Sequence, residues 1–195
     1  MQPAPAAGAI RQLTDVASLA LEEARRQGAS QCEADASLAQ GLSVSVRLRE
    51  VDTLEYQRDR GLGVTVYFGQ RKGSASTADL TAAAVRETVE KACAIARYTA
   101  ADPYAGLVEP EALAREIPDL DLDHAWDLAP ERAIELAREC EAAGLAVDAR
   151  ITNSEGASVS SQRNTGVYGN SPTSPASRSR KRAARERRSA KPTPR

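Results

Sequence analysis

Apolar residues recur at helical spacing over residues 10–28, where Ile10, Leu13, Ala17, Ala20, Leu21 and Ala24 form one stripe. Acids and arginines fill the opposite face and Gly28 supplies a stop, so the pattern predicts an amphipathic helix. The period then drops to two. Leu42, Val44, Val46 and Leu48 alternate with Ser43, Ser45, Arg47 and Arg49, and Leu62, Val64, Val66 and Phe68 alternate with Gly63, Thr65 and Tyr67. Such alternation predicts strands with one buried and one wet face. VDTLEYQRDRG between them is read as a further strand, with turns near Glu50–Asp52 and Asp59–Gly61. CEADASLAQG before them is a weaker candidate, and RKGSAST after them a fifth.

Helical spacing returns in DLTAAAVRETVEKACAIARY, where Val85, Val89, Ala92, Ile95 and Ala96 share a face and Asp79 is a candidate N-cap. Residues 99–129 are read as an irregular surface link broken by Pro103, Pro110 and Pro118, with a helical turn at 110–115. A third helix is expected from Pro130, through Ile134, Ala137 and Cys140, to Gly144. Residues 150–169 read as a hairpin, turning at Ser154–Gly156 or at Arg163–Gly166. The order of elements predicts an α+β fold, an antiparallel β-meander with helices packed on its buried face. With one Phe, one Trp and one Met, the core must rest on Ala, Val and Leu, which implies modest stability.

Charge changes this picture at one end. Residues 171–195 contain no Val, Ile, Leu, Met, Phe, Tyr or Trp, and hold nine Lys or Arg against Glu186. The net charge of the whole chain is −1, so a tail of +8 leaves −9 on residues 1–170. The expected organisation is a flexible segment 1–9, one domain over 10–170 and a disordered basic tail 171–195. Arg11, Asp15, Glu22 and Glu23 interrupt the N-terminal apolar pattern, unlike a secretory signal peptide. No stretch reaches the ~20 apolar residues of a membrane span. Three scattered cysteines, Cys32, Cys93 and Cys140, without CxxC spacing, suit a reducing compartment and read as small buried hydrophobes. The cytoplasm is the expected location.

Candidate chemistry is thin. The single histidine, His124, lies in DLDLDHAWD without the further ligands zinc requires. The acids at 119, 121, 123 and 127 lack the glycine and terminal glutamate of a calcium loop and read as a solvated face. GLGV at 61–64 opens no helix and lacks a phosphate-loop lysine. Ser74 and Ser76 have no histidine placed to activate them. Arg71 and Lys72 are the weak binding candidates: a basic spot able to hold a carboxylate or phosphate, or else an edge charge pair that discourages aggregation. No catalytic or metal-ligating residue is assigned.

Four strings carry a resemblance: GLGVTVYFGQRKGSASTADL (61–80), ARYTAADPYAGL (96–107), PDLDLDHAWDLAPERAIELA (118–137) and RITNSEGASVSSQRNTGVYGNS (150–171). Together they resemble the N-terminal part of the PmbA/TldE members of the TldD/PmbA metallopeptidase family, collinearly over about residues 10–171. The resemblance implies a non-catalytic subunit of a cytosolic TldD/TldE zinc metallopeptidase that trims unfolded peptides, in peptide maturation and antitoxin degradation. It places the zinc in the TldD-like partner, so no cofactor is expected in this chain and activity alone is not expected. At Ser171 the chain departs from the family pattern, and the Ser, Pro, Ala, Arg and Lys that follow are what GC-rich codons give out of frame. A frameshifted or truncated end is therefore expected. The alternative is a genuine basic arm on a nucleic-acid-binding accessory protein, attracted to phosphate backbone.

Overall fold

The computed structural model describes residues 6–109, 111–112, 118, 120–124, 126–171 and 182–183. Its elements are α1 (Ala6–Arg26), β1 (Gln31–Arg47), β2 (Glu50–Phe68), β3 (Arg71–Thr77), α2 (Ala82–Tyr98), α3 (Pro130–Leu145), β4 (Ala157–Ser171) and the two-residue β5 (Arg182–Ala183). The strands form one sheet in the order β3-β2-β1-β4-β5. The fold is α+β, as the pattern predicted. Packing divides it into two units, one drawn from within Met1–Leu38, Asp59–Leu120 and Thr165–Arg185, the other from within Ala39–Arg58, Asp121–Asn164 and Glu186–Arg195.

In the first unit α1 and α2 lie on one face of the sheet. The predicted stripe of α1 is buried from Leu13 to Ala24, and Val16 joins it. Gly28 ends the helix at φ 85°, donating its N–H to the Arg25 carbonyl, a conformation that suits a residue without Cβ. The helix begins at Ala6, so residues 6–9 of the expected flexible segment are helical, and residues 1–5 lie outside those described. On α2 the buried residues are Val85, Thr88, Val89, Ala92, Cys93 and Ala96, whereas Ile95 is half-exposed, which corrects its placing on that face. Thr81 is the N-cap, its side chain accepting from Ala84 N, rather than Asp79. Asp79 sits two residues earlier and accepts from Thr81 N, ordering the turn that leads to the cap. α2 rests so closely on β3 that a Cβ at Gly73 would run into the Ala92 carbonyl and the Ala96 amide. The start of the proline-rich link is pinned rather than loose: Asp102 N donates to Gln70 O, and Leu107 N to Gln31 Oε1.

In the second unit α3 packs Ala133 and Ala137 onto Leu42, Val44 and Val46, with Leu128, Ile134 and Val159 at the margin. Pro130 stands at the first turn, as predicted. Cys140 is exposed, unlike Cys32 and Cys93, because the buried face of α3 runs through Ala133, Ala137 and Glu141. Glu141 is a carboxylate at 4% exposure, and it accepts from the Leu48 and Arg49 amides at 2.7 Å each. Those two residues form the β1–β2 turn with φ of 48° and 70°, left-handed without being glycine. Arg138 Nε donates to the Arg49 carbonyl at 2.9 Å, so two residues of α3 clamp the turn.

Three readings of the strands need correction. The two candidate strands at 32–41 and 41–50 are one strand, β1, and the two on either side of Asp59–Gly61 are likewise one strand, β2. The expected hairpin at 150–169 is replaced by a single strand, β4, which begins at Ala157. Gly156, read as a turn, takes φ 100° where a Cβ would lie 2.5 Å from the Val46 carbonyl, so it permits a close approach of chains instead. The expected helical turn at 110–115 lies mostly outside the described residues, as does the basic tail apart from Ser171 at the end of β4 and the β5 pair opposite Val167 and Tyr168.

Candidate functional site

Arg71 and Lys72 open β3, opposite Phe68 and Tyr67 across the β2–β3 turn. Arg71 Nη1 donates to the Arg97 carbonyl at 3.0 Å, placing a cation at the C-terminal end of α2 where the helix carries partial negative charge. Arg97 in turn stacks over the Phe68 ring, 5.0 Å from its centroid. The guanidinium of Arg71 thus has a structural partner, and neither residue lines the two concavities described next.

The first concavity, about 360 Å³, lies in the first unit on the sheet face away from the helices. Alternation that buries Cys32, Ala34 and Ala36 turns Glu33 and Asp35 outward. Glu33 accepts two phenol hydrogens, from Tyr67 at 3.1 Å and from Tyr168 at 2.7 Å, while Thr65 and Ser74 hydroxyls pair at 3.0 Å. Burial first, then the Glu33 carboxylate, pushes both tyrosines up to about 12. At neutral pH the phenols are therefore protonated donors, and this face offers hydroxyls and carboxylates without a nucleophile–base pair.

The second, about 550 Å³, lies in the second unit and is lined by Gln40, Tyr56, Gln57, Arg58, Trp126 and Arg163, among others. Arg163 Nη2 donates to both oxygens of Asp123 at 2.6 and 2.9 Å, one nitrogen spanning the carboxylate and holding the link beside β4. Tyr56 is 67% exposed and Trp126 36%. Two aromatic surfaces, two carboxamides and two guanidiniums suit a peptide: the rings cover apolar side chains and the amides pair with backbone groups of any sequence. The alternation of β2 gave Tyr56 a strand position, but nothing in the sequence joins it to Trp126 and Arg163, which come from segments far along the chain.

A zinc ion has no place among these residues. His124 is exposed, with Nε2 3.8 Å from Asp121 Oδ2. The Cys32 thiol is buried and pushed up to about 12 by desolvation, with Cys93 and Glu33 adding to the effect, which disfavours the thiolate a metal needs. Among the described residues no group of three or more His, Cys, Asp or Glu is placed to hold a metal ion. None of the described helices is long and apolar enough to cross a membrane.

Two family models match: PmbA/TldA metallopeptidase domain 1 over residues 32–96 and the PmbA/TldA metallopeptidase central domain over 123–172. A metalloprotease PmbA homolog of Haemophilus influenzae is 45% identical over 161 residues, spanning 83% of this chain and 36% of that protein. The chain belongs to the PmbA/TldD metallopeptidase family. It spans about a third of the length of the curated relatives it matches. The fold of the family is shared with a putative modulator of DNA gyrase from Bacteroides thetaiotaomicron (TM-score 0.67, 23% identity, 87% of this chain and 38% of that one). It is shared also with TldE from Thermococcus kodakarensis (TM-score 0.64, 16% identity, 88% and 36%).

Proposed function

We propose that this chain supplies the first-domain and central-domain segments of a PmbA/TldE-type subunit, itself without catalytic residues, in a cytoplasmic TldD/TldE zinc metallopeptidase acting on unfolded peptides. The observation that carries this reading is the 45% identity to a metalloprotease PmbA homolog over 161 residues, in a chain with one histidine. The zinc belongs to a TldD-like partner, since the residues here do not fit it. This chain's part is to hold substrate: the Trp126 and Tyr56 rings and the Gln40 and Gln57 amides receive a length of extended peptide. The amides exchange hydrogen bonds with its backbone, which explains selection for unfolded over folded chains without selection for sequence.

The test mixes the purified full chain with a TldD-type subunit and an unfolded peptide. The chain alone cleaves nothing, binds the subunit, and gives chelator-sensitive cleavage in the mixture. The Trp126→Ala variant should lose peptide binding by about tenfold, the worth of one stacked aromatic contact. Cleavage by the chain alone that a chelator abolishes would overturn the proposal.

A further inference from the structure

Each aromatic ring of the larger concavity has a charge beside it. Arg58 follows Tyr56 by two positions on β2, Asp127 follows Trp126 directly on the link, and all four line the same space. Backbone fixes both settings. Tyr56 and Arg58 belong to a continuous strand. Leu128 N donates to the Trp126 carbonyl at 2.8 Å, closing a three-residue turn with Asp127 at its apex. On one side of that apex Leu128 packs at the margin of the α3 cluster, and on the other Asp123 is bound by Arg163.

The fold does not use these two charges. Arg163 is committed to Asp123, but among the described residues the side chains of Arg58 and Asp127 make no hydrogen bond or ion pair, with each other or with any neighbour. A ligand that fills a concavity strips water from the charges lining it, which weakens binding unless the ligand brings a counter-charge. A neutral segment loses at both positions, and a segment of matching charge gains at each. At Asp127 a second feature points the same way, because the face of the adjoining indole also attracts cations.

We propose that Arg58 and Asp127 set the charge selectivity of this cavity, which takes extended segments carrying side chains of both signs. An acidic side chain lies at Arg58 beside the Tyr56 ring, and a basic one at Asp127 beside the Trp126 ring. The rings and amides hold any extended chain, and the two charges choose among such chains. The inference rests on the reading of this cavity as a peptide site and adds which peptides it prefers.

The experiment follows binding of labelled unfolded peptides to the full chain by fluorescence anisotropy. The peptides share length, apolar content and blocked termini, and their polar positions are all Glu, all Lys, all Gln, or Glu and Lys in alternation. Arg58→Gln should weaken the Glu peptide about threefold and Arg58→Glu about tenfold, the worth of an exposed ion pair removed and then reversed. Arg58→Glu should also bind the Lys peptide about threefold more tightly, a gain that misfolding cannot produce. Asp127→Asn and Asp127→Lys should do the converse, weakening the Lys peptide, with Asp127→Lys tightening the Glu peptide. The alternating peptide should be weakened by Arg58→Gln and by Asp127→Asn alike. None of the four should weaken the Gln peptide. Arg11→Glu, the same reversal on exposed α1, controls for net charge and should change little. A Glu peptide indifferent to Arg58→Glu, a Lys peptide that gains nothing from it, an alternating peptide that ignores either neutral variant, or equal effects from Arg11→Glu would overturn the proposal. If Trp126→Ala still weakens the Gln peptide in that event, the cavity remains a peptide site and only its charge selectivity is refuted. If no peptide binds the wild-type chain, both readings fail.

Discussion

Replacing Glu141 by alanine tests whether α3 holds the β1–β2 turn. The carboxylate accepts two backbone N–H bonds at 2.7 Å while itself buried to 4% exposure. Hydrogen bonds to a charged group contribute ~1.5–3 kcal/mol each, but Leu48 is half-exposed and water can replace part of what is lost, so about 1 kcal/mol per bond is the better value. The expected loss is therefore about 2 kcal/mol. It is comparable to the strain it opposes, since two non-glycine residues in left-handed backbone cost ~1 kcal/mol each. Arg49→Gly, which relieves half of that strain, should stabilise by about 1 kcal/mol and serves as the opposite control. Urea unfolding followed by the fluorescence of Trp126, the single tryptophan, reports on this unit. The pH dependence follows from the same geometry. Burial pushes the Glu141 carboxyl up, but the Arg49 and Leu48 amides, helped by Ser154, outweigh it and hold the group below its ordinary 4.5. A depressed folded value means that the stabilisation is complete above 4.5 and fades as pH falls through the folded value. Wild type and Glu141→Gln should differ at pH 7, and the difference should shrink as the pH falls below 4.5 through the lowered folded value. A loss below about 0.5 kcal/mol, the size of an ordinary surface substitution, would refute the clamp, and so would a difference that does not shrink on acidification.

Two further outcomes are expected. Gly73→Ala must lift α2 from β3, since its Cβ meets backbone of Ala92 and Ala96 rather than a movable side chain; the loss should be about 3 kcal/mol, and an unchanged melting temperature would contradict it. In an ultraviolet titration of the native chain, Tyr67 and Tyr168 should ionise near 12, above the ordinary phenol value of 10. Because their folded values are raised, the stability they contribute is present below pH 10 and lost towards 12. Ionisation of Tyr67 and Tyr168 near 10 in the folded protein would show that Glu33 does not hold them.

What could be read from the sequence is what repeats locally. The α1 stripe, the Gly28 stop, the Pro130 start and the buried alternation of Val44–Val46 and Val64–Val66 all follow from periods of 3.6 and 2, and all are present. The centre of β2 broke the method because it is exposed on both faces. With no core to face, Glu55, Arg58, Asp59 and Arg60 obey no alternation, and a charged run around Gly61 reads as a turn. Gly156 misled for a related reason, since it admits the Val46 carbonyl, whereas Gly166 lies within β4, where a Cβ would make only ordinary contact. A glycine demanded by a neighbour looks, in sequence, like a glycine demanded by a turn. The cavity beside Trp126 was hidden differently, since its lining comes from β1, β2, the link and β4.

The β1–β2 turn shows why the remainder cannot be local. A two-residue hairpin turn asks for Asn-Gly or its equivalents, and Leu48-Arg49 answers neither request. Taken alone, Leu48 extends the apolar alternation of β1, which is why the strand was expected to run through it. The chain turns there because Glu141, 93 and 92 residues away from the two amides, accepts both of them, and because Arg138 binds the carbonyl beside them. The information that sets the turn therefore resides in α3. Glu141 looked like one more acid on a helix rich in acids, and only packing distinguishes it. The same clamp fixes where β2 begins. Local sequence and local structure conflict at this turn, and the buried carboxylate is the tertiary contact that resolves the conflict in favour of the long two-stranded ribbon.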